Sequence, residues 1–183
     1  MDETKNGIIL QLPIPKHLNE SKLMQSIDYK KDVDGFTNES IGNLVYGRNT
    51  LVPCTSLGII KLLDEYNIDL EGKNVTIIGR SVYIGKSLFH LLVNRDATVT
   101  LCHSKTKDLK EHLKHSDIII TAAGKTNFIT KDMIENKPTI VDVSINFNEE
   151  GKMCGDCDYE NIKDVCSYIT PVPGGVGPMT VAS

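Results

Sequence analysis

Val75-Thr76-Ile77-Ile78-Gly79-Arg80-Ser81-Val82-Tyr83-Ile84-Gly85 is the stretch whose reading decides the fold. Its first four residues are apolar or β-branched, the composition of a buried strand. Gly79 to Gly85 is a turn bounded by glycines. Residues 86–94 then place Leu88, Leu91 and Leu92 on one helical face. Strand, glycine turn and helix in that order open a βαβ unit. Downstream the alternation continues. Residues 98–102, 118–121 and 139–143 read as further strands, and 168–170 as a fifth. Asp108 and Glu111 fit a capping pair for a helix through Leu113, and Thr130 a cap for a helix holding Met133 and Ile134. Strands alternating with helices imply right-handed crossovers. The expected fold is therefore α/β, a Rossmann-like parallel sheet with helices on both faces.

Upstream, residues 7–12 form a short apolar run ended by Pro13 and Pro15, read as a buried strand. Asn19 can cap a short helix carrying Leu23, Met24 and Ile27. Residues 28–53 are rich in turn formers. Thr55 offers an N-cap for a helix to about Tyr66, with Ile59, Ile60, Leu62 and Leu63 inward. Near the chain's end stands Pro171-Val172-Pro173-Gly174-Gly175-Val176-Gly177-Pro178. Three prolines and three glycines in eight residues read as non-helical. A segment both stiff and bare turns a corner or lies against a ligand.

In open parallel sheets, ligands sit at the carboxyl ends of the strands. The turn from Gly79 to Gly85 is there, either as a dinucleotide turn or as an ordinary strand–helix turn. Its spacing is not G-x-G-x-x-G. The second strand ends in Cys102-His103-Ser104-Lys105-Thr106, without the acid that holds ribose hydroxyls in NAD enzymes. A hydroxyl and a cation there suit a 2′-phosphate. Arg80, Ser104 and Lys105 are expected to converge on it, which makes NADP the expected cofactor.

Asp34, before Gly35, is a turn former or an acceptor for a ligand's N–H groups. Gln11, polar at the end of an apolar run, faces a cleft or caps a backbone group. His103 is the histidine nearest the cofactor edge. The acids around Asp32 and Asp34 do not fit a calcium loop, because Lys30 and Ile41 occupy positions that need acids. Cys154-Gly155-Asp156-Cys157 has no second pair for zinc and does not open a helix, so it reads as structural. No Ser/His/Asp triad and no metal spacing is visible.

The 183 residues carry a net charge of -4 and no basic run, which argues against extended nucleic-acid binding. Apolar runs are far too short to span a bilayer. Residues 1–6 are polar, with no signal-peptide core. Five cysteines without a scaffold spacing read as free thiols of a reducing compartment, consistent with a cytoplasmic protein.

Six segments together carry a resemblance: residues 7–15, 31–36, 53–55, 79–81, 102–104 and 170–180. In this order they resemble the methylenetetrahydrofolate dehydrogenase/cyclohydrolase family, of the bifunctional bacterial FolD type. The resemblance implies NADP-dependent oxidation of methylenetetrahydrofolate to methenyltetrahydrofolate and hydrolysis of that to formyltetrahydrofolate. It implies that Gln11 and Asp34 serve the chemistry, and that Gly79, Arg80, Ser81, Ser104 and Ile145 bind NADP. Gln11, Leu12, Asp34, Pro171, Val172, Pro173, Gly174 and Gly175 would line the folate site. Residues 1–53 would belong to the folate domain and 54–183 to the NADP-binding domain, with tetrahydrofolate derivatives as ligands and a homodimer formed through the cofactor domains. The family's Tyr-x-x-x-Lys motif and its final helix have no counterpart here. The chain is therefore expected to be part of a longer enzyme, or a cofactor-binding module without turnover of its own. A generic Rossmann oxidoreductase requires neither the proline-glycine run nor the Asp-Val-Asp-Gly segment. Two further departures are Val82-Tyr83 in the cofactor turn and Ser144 where glycine is usual, the latter expected near the nicotinamide edge and a possible burden on affinity.

Overall fold

The computed structural model describes residues 4–183. Its centre is a sheet of five parallel strands: β1 (Asn74–Ile78), β2 (Thr98–Cys102), β3 (Ile118–Thr121), β4 (Thr139–Asp142) and, after a short hairpin, β7 (Tyr168–Ile169). The spatial order is β2-β1-β3-β4-β7. The chain reverses its direction of growth between β1 and β3, and that junction opens a crevice at the carboxyl ends.

Register explains why these strands are apolar nearly throughout. Val75 pairs with Ile118, and Ile118 with Thr139, while Ile77, Ile120 and Val141 lie in register two residues on. Val75, Ile77, Ile118, Ile120 and Val141 pack on one face with Ile59, Leu63, Leu88 and Leu92. Ile78, Ile119, Ile140 and Cys102 pack on the other with Leu113, Ile129 and Ile162. A sheet covered on both faces loses the simple polar alternation. Each buried aliphatic side chain contributes roughly 1.5–3 kcal/mol.

The helices are α1 (Glu20–Met24), α2 (Asn38–Val45), α3 (Cys54–Glu65), α4 (Ser87–Val93), α5 (Leu109–Lys114), α6 (Tyr159–Ile162) and α7 (Val176–Ala182). Asn19 caps α1 as expected, accepting from the Lys22 N–H at 2.9 Å. A π-helical turn, Val82–Lys86, leads directly into α4. The antiparallel pair β5 (Asn146–Phe147) and β6 (Met153–Cys154) stands beyond β4.

Several expectations need correction. Residues 7–12 are not a buried strand. Ile8 makes one isolated bridge to Asp32, and Ile9 is 63% exposed, because no strand of the described residues flanks the run on its other side. The 28–53 segment is not turns throughout, since it holds α2, capped by Thr37. Helix α3 starts at Cys54 after Pro53, and Thr55 does not cap it. Asp108 adopts φ 49° and makes no cap, while Glu111 pairs with Lys114. The segment after Thr130 is only a 3-10 turn, Lys131–Met133. The proline-glycine run does enter a helix. Pro178 falls in the first turn of α7, where a missing N–H costs nothing.

Helix α7 lies against α3. A Cβ on Gly58 of α3 would meet the Met179 backbone at 3.0 Å, so the glycine lets the two helices approach closely. Thr180 and Thr55 add a hydroxyl–hydroxyl bond at 3.3 Å across the contact.

Candidate functional site

The crevice between β1 and β3 holds a cavity of about 520 Å³. It draws Gly79 and Arg80 from the end of β1, His103, Ser104 and Thr106 from the end of β2, and Ala122, Ala123 and Lys125 from the end of β3. The floor is set by the turn at Gly79. Gly79 has φ 129°, and a Cβ there would stand 2.6 Å from the Ala122 carbonyl oxygen. Only glycine fits that backbone and that approach. Gly85 closes the same turn, since its Cβ would stand 2.0 Å from the Gly79 carbonyl oxygen.

The π-helical turn is fixed from both ends. Ser81 Oγ accepts the Ile84 N–H at 3.2 Å. Buried Ser87 donates to the Tyr83 and Ile84 carbonyls and bonds Ser56 Oγ of α3 at 2.8 Å. Widened turns of this kind recur at functional sites. Tyr83 reaches outward from it to the Glu20 carboxylate of α1, and its ring meets Phe36 edge-on at 4.5 Å. Burial and the Glu20 carboxylate push the Tyr83 phenol up to about 12.

At the end of β2, the Thr106 hydroxyl accepts the His103 N–H at 2.9 Å and His103 Nδ1 accepts the Lys105 N–H at 3.1 Å. A neutral His103 therefore carries its ring proton on Nε2. Lys125 lies 4.9 Å over the Phe128 ring. No Asp or Glu lines the cavity among the described residues, whereas Arg80, Lys125, Ser104 and Thr106 do. That donor set fits an anionic, phosphorylated nucleotide.

A second cavity of about 230 Å³ lies beyond β4. Here Ile145 and Ser144 face the loop from Pro171 to Gly175. The loop is held tight, since a Cβ on Gly175 would come within 2.5 Å of the Pro171 carbonyl oxygen. A third gap of about 260 Å³ opens on the loop's other side, between Leu62, Tyr66 and Tyr168, with no charged side chain of the described residues in its walls.

The structure thus gathers Gly79, Arg80 and Ser104 in one cleft. It gathers Ile145 with Pro171, Val172, Pro173, Gly174 and Gly175 in another. Ser81 serves as a cap at the first cleft's edge, and Lys105 does not line it. Gln11, Leu12 and Asp34 line neither cleft. Gln11 is exposed and its amide donates to the Leu12 carbonyl at 3.0 Å. Asp34 is half-buried, and burial together with the Asp32 charge pushes its carboxyl up. Asp32 is the buried acid of that segment, accepting from the Phe36 and Thr37 N–H groups and from the Ser40 hydroxyl. Thr106, Lys125 and Ala123 also line the first cleft and carry no motif of their own in the sequence. The position of each just after a strand end was the available signal.

Residues 53–183 match the family profile of the tetrahydrofolate dehydrogenase/cyclohydrolase NAD(P)-binding domain. The chain belongs to the tetrahydrofolate dehydrogenase/cyclohydrolase family. Residues 1–34 match the profile of the same family's catalytic domain. The bifunctional protein FolD of Campylobacter hominis is 51% identical over 177 residues, covering 97% of this chain and 62% of that protein. FolD of Agathobacter rectalis is 49% identical over 181 residues, 99% of this chain and 65% of that protein. Among solved structures, the bifunctional FolD methylenetetrahydrofolate dehydrogenase/cyclohydrolase of Campylobacter jejuni superposes with a TM-score of 0.97 at 48% identity. It covers 99% of this chain and 64% of its own. The Trypanosoma brucei dehydrogenase-cyclohydrolase, solved with NADP cofactor and an inhibitor, gives 0.88 at 34% identity, over 99% of this chain and 64% of its own. The chain spans just under two thirds of the length of these family members. No helix of the described residues is long and apolar enough to cross a membrane. No cluster of His, Cys, Asp or Glu among them could hold a metal ion.

Proposed function

We propose that this chain is the cofactor-binding part, with one wall of the folate site, of an NADP-dependent methylenetetrahydrofolate dehydrogenase/cyclohydrolase. One observation carries the proposal. The crevice between β1 and β3 presents Ser104 after β2, where an NAD enzyme presents an acid, with Arg80 beside it, and no carboxylate of the described residues lines it. The NADP named for the Trypanosoma brucei relative supports the same cofactor.

Arg80 and Ser104 would hold the 2′-phosphate, the guanidinium through paired N–H donors. Gly79 keeps the turn bare so that the backbone can approach the pyrophosphate at the start of the helix. Ser81 keeps that turn in shape through its bond to Ile84. Ile145 would receive the nicotinamide end, facing the Pro171–Gly175 loop across the second cleft. Bound NADP would accept the hydride from methylenetetrahydrofolate. The stiff loop would lie along the folate and exclude water from that face. Asp34 would accept the pterin's amino edge, and Gln11 would stand beside the reacting carbon. Hydrolysis of the methenyl product to formyltetrahydrofolate would complete the family's second activity. We further propose a division between a folate domain, 1–53, and an NADP domain, 54–183. A cytoplasmic homodimer that binds tetrahydrofolate derivatives, neither nucleic acid nor membrane, completes the proposal.

The test is reduction of NADP by the purified 183-residue chain supplied with methylenetetrahydrofolate, followed by absorbance of the reduced cofactor. Turnover above background supports the dehydrogenase activity. Bound NADP without turnover would withdraw that activity from the chain and leave a cofactor-binding module.

A further inference from the structure

We propose that Asp156, acting with Ser144, is a positioning residue that sets the nicotinamide end of the cofactor site by tying the loop after β4 to the backbone of the loop after β3, without a bond to Arg80 or Ser104. The proposal rests on the cofactor assignment above.

Asp156 follows β6 and is fully buried at 0% exposure. Its carboxylate collects five donors from two loops. Oδ2 accepts from Thr121 Oγ1 at 2.7 Å, the Ala123 N–H at 2.7 Å and Ser144 Oγ at 2.8 Å. Oδ1 accepts from the Lys125 N–H at 2.7 Å and Asn146 Nδ2 at 3.1 Å. Thr121, Ala123 and Lys125 belong to the end of β3 and its following loop, Ser144 to the loop after β4, and Asn146 to the start of β5 where that loop ends. One anion therefore fixes the spacing between the loop bordering the first cleft and the loop bordering the second. Ser144 doubles the link, because its hydroxyl oxygen also accepts the Gly124 N–H at 3.1 Å. Its hydroxyl is thus engaged by both Asp156 and Gly124.

The carboxylate stays charged although it is buried. Burial pushes it up, and the hydrogen bonds from Thr121, Lys125, Ala123 and Ser144 outweigh that and hold it below the ordinary carboxylate value. Bonds to an ionised acceptor are the stronger kind. The hairpin holds Asp156 in place from its own backbone, whose carbonyl accepts the Ile129 N–H at 2.9 Å. Gly155 makes room, since a Cβ there would lie 2.1 Å from an Asp142 carboxylate oxygen.

Two of these partners, Ala123 and Lys125, line the first cleft and are bonded only through their backbone N–H groups, whereas Arg80 and Ser104, the groups proposed to hold the 2′-phosphate, are not partners and stand at the ends of β1 and β2. A crossover dinucleotide spans the crevice from that end to the β4 end. The two ends can therefore be tested separately. The experiment is calorimetric titration of the 183-residue chain, Asp156→Asn and Ser144→Ala with two probes. One is NADP. The other is adenosine 2′,5′-bisphosphate, which has the 2′-phosphate and no nicotinamide.

Asp156→Asn is expected to weaken NADP about tenfold, the worth of a charged hydrogen bond, and leave the bisphosphate within about twofold. Ser144→Ala is expected to weaken NADP about threefold with the bisphosphate unchanged. If circular dichroism shows that Asp156→Asn does not fold, the Ser144→Ala titration decides. NADP affinity unchanged in the folded variants overturns the proposal, and so does a parallel loss for both probes, which would mean general structural support. Wild-type chain that binds neither probe would instead strike down the cofactor assignment beneath it.

Discussion

Two runs of three aliphatic residues in this chain meet opposite fates. Ile118, Ile119 and Ile120 form the middle of β3 and are at most 1% exposed. Ile8 and Ile9, followed by Leu10, are 37% and 63% exposed at their first two positions. Composition does not separate them. Neighbours do. β3 has β1 on one side and β4 on the other, with helices over both faces. The Ile8 run has one bridge, to Asp32, and nothing of the described residues beyond it. Apolarity makes a segment willing to be buried, and the partners decide whether it is.

The largest effect tests the first run. Ile119→Ala should cost about 3 kcal/mol of stability in urea denaturation, because the site is packed on all sides. A loss under about 1 kcal/mol would mean that the core around β3 is far looser than described.

Next comes the anchor beside the second run. Asp32→Asn should cost about 2 kcal/mol at neutral pH by stripping charged acceptors from Phe36, Thr37 and Ser40. Burial pushes the Asp32 carboxyl up, but those bonds outweigh it and hold it below 3.8. A depressed folded value stabilises above the unfolded value and is lost as pH falls through the folded one. The gap between wild type and variant should therefore be constant from neutral pH down to about 4 and close below it. A gap that widens on acidification would reverse the sign.

Tyr83→Phe probes the seam between the two regions. It removes the bond to Glu20 and keeps the ring against Phe36. The expected cost is about 1 kcal/mol, with faster proteolysis in α1 and none in the sheet. Equal cleavage throughout would show that the seam is not local. Ile9→Ala is the smallest, within about 0.5 kcal/mol, as for other exposed positions. A loss matching Ile119→Ala would erase the distinction between the two runs.

The sheet was legible in the sequence because its signals are local. Residues 98–102 and 118–121 match β2 and β3 to the residue, and the glycine turn sits where it was placed. What was missed depends on partners or on very short elements. α2 was masked by the glycines at 35, 42 and 47, although Thr37 was an available cap. β5 and β6 have two residues each, too few for any periodicity. α7 is hidden because its prolines and glycines signal a helix break, although the first turn of a helix accepts a proline. Around the site, Arg80 and Ser104 were readable from their places after strands. Asp156 is not, because it sits between Cys154 and Cys157 with no local pattern of its own and its five donors come from residues 121 to 146.

The measurement to make first is calorimetric titration of the wild-type chain and Arg80→Ala with NADP and with NAD. NADP should bind at least about tenfold more tightly than NAD to the wild type, as a charged bidentate contact is worth that much. Arg80→Ala should erase the preference while leaving NAD binding as it was. Equal affinities for the two cofactors in the wild type, or a preference that survives the loss of Arg80, would contradict the assignment of the β1–β3 crevice as a site built for a 2′-phosphate.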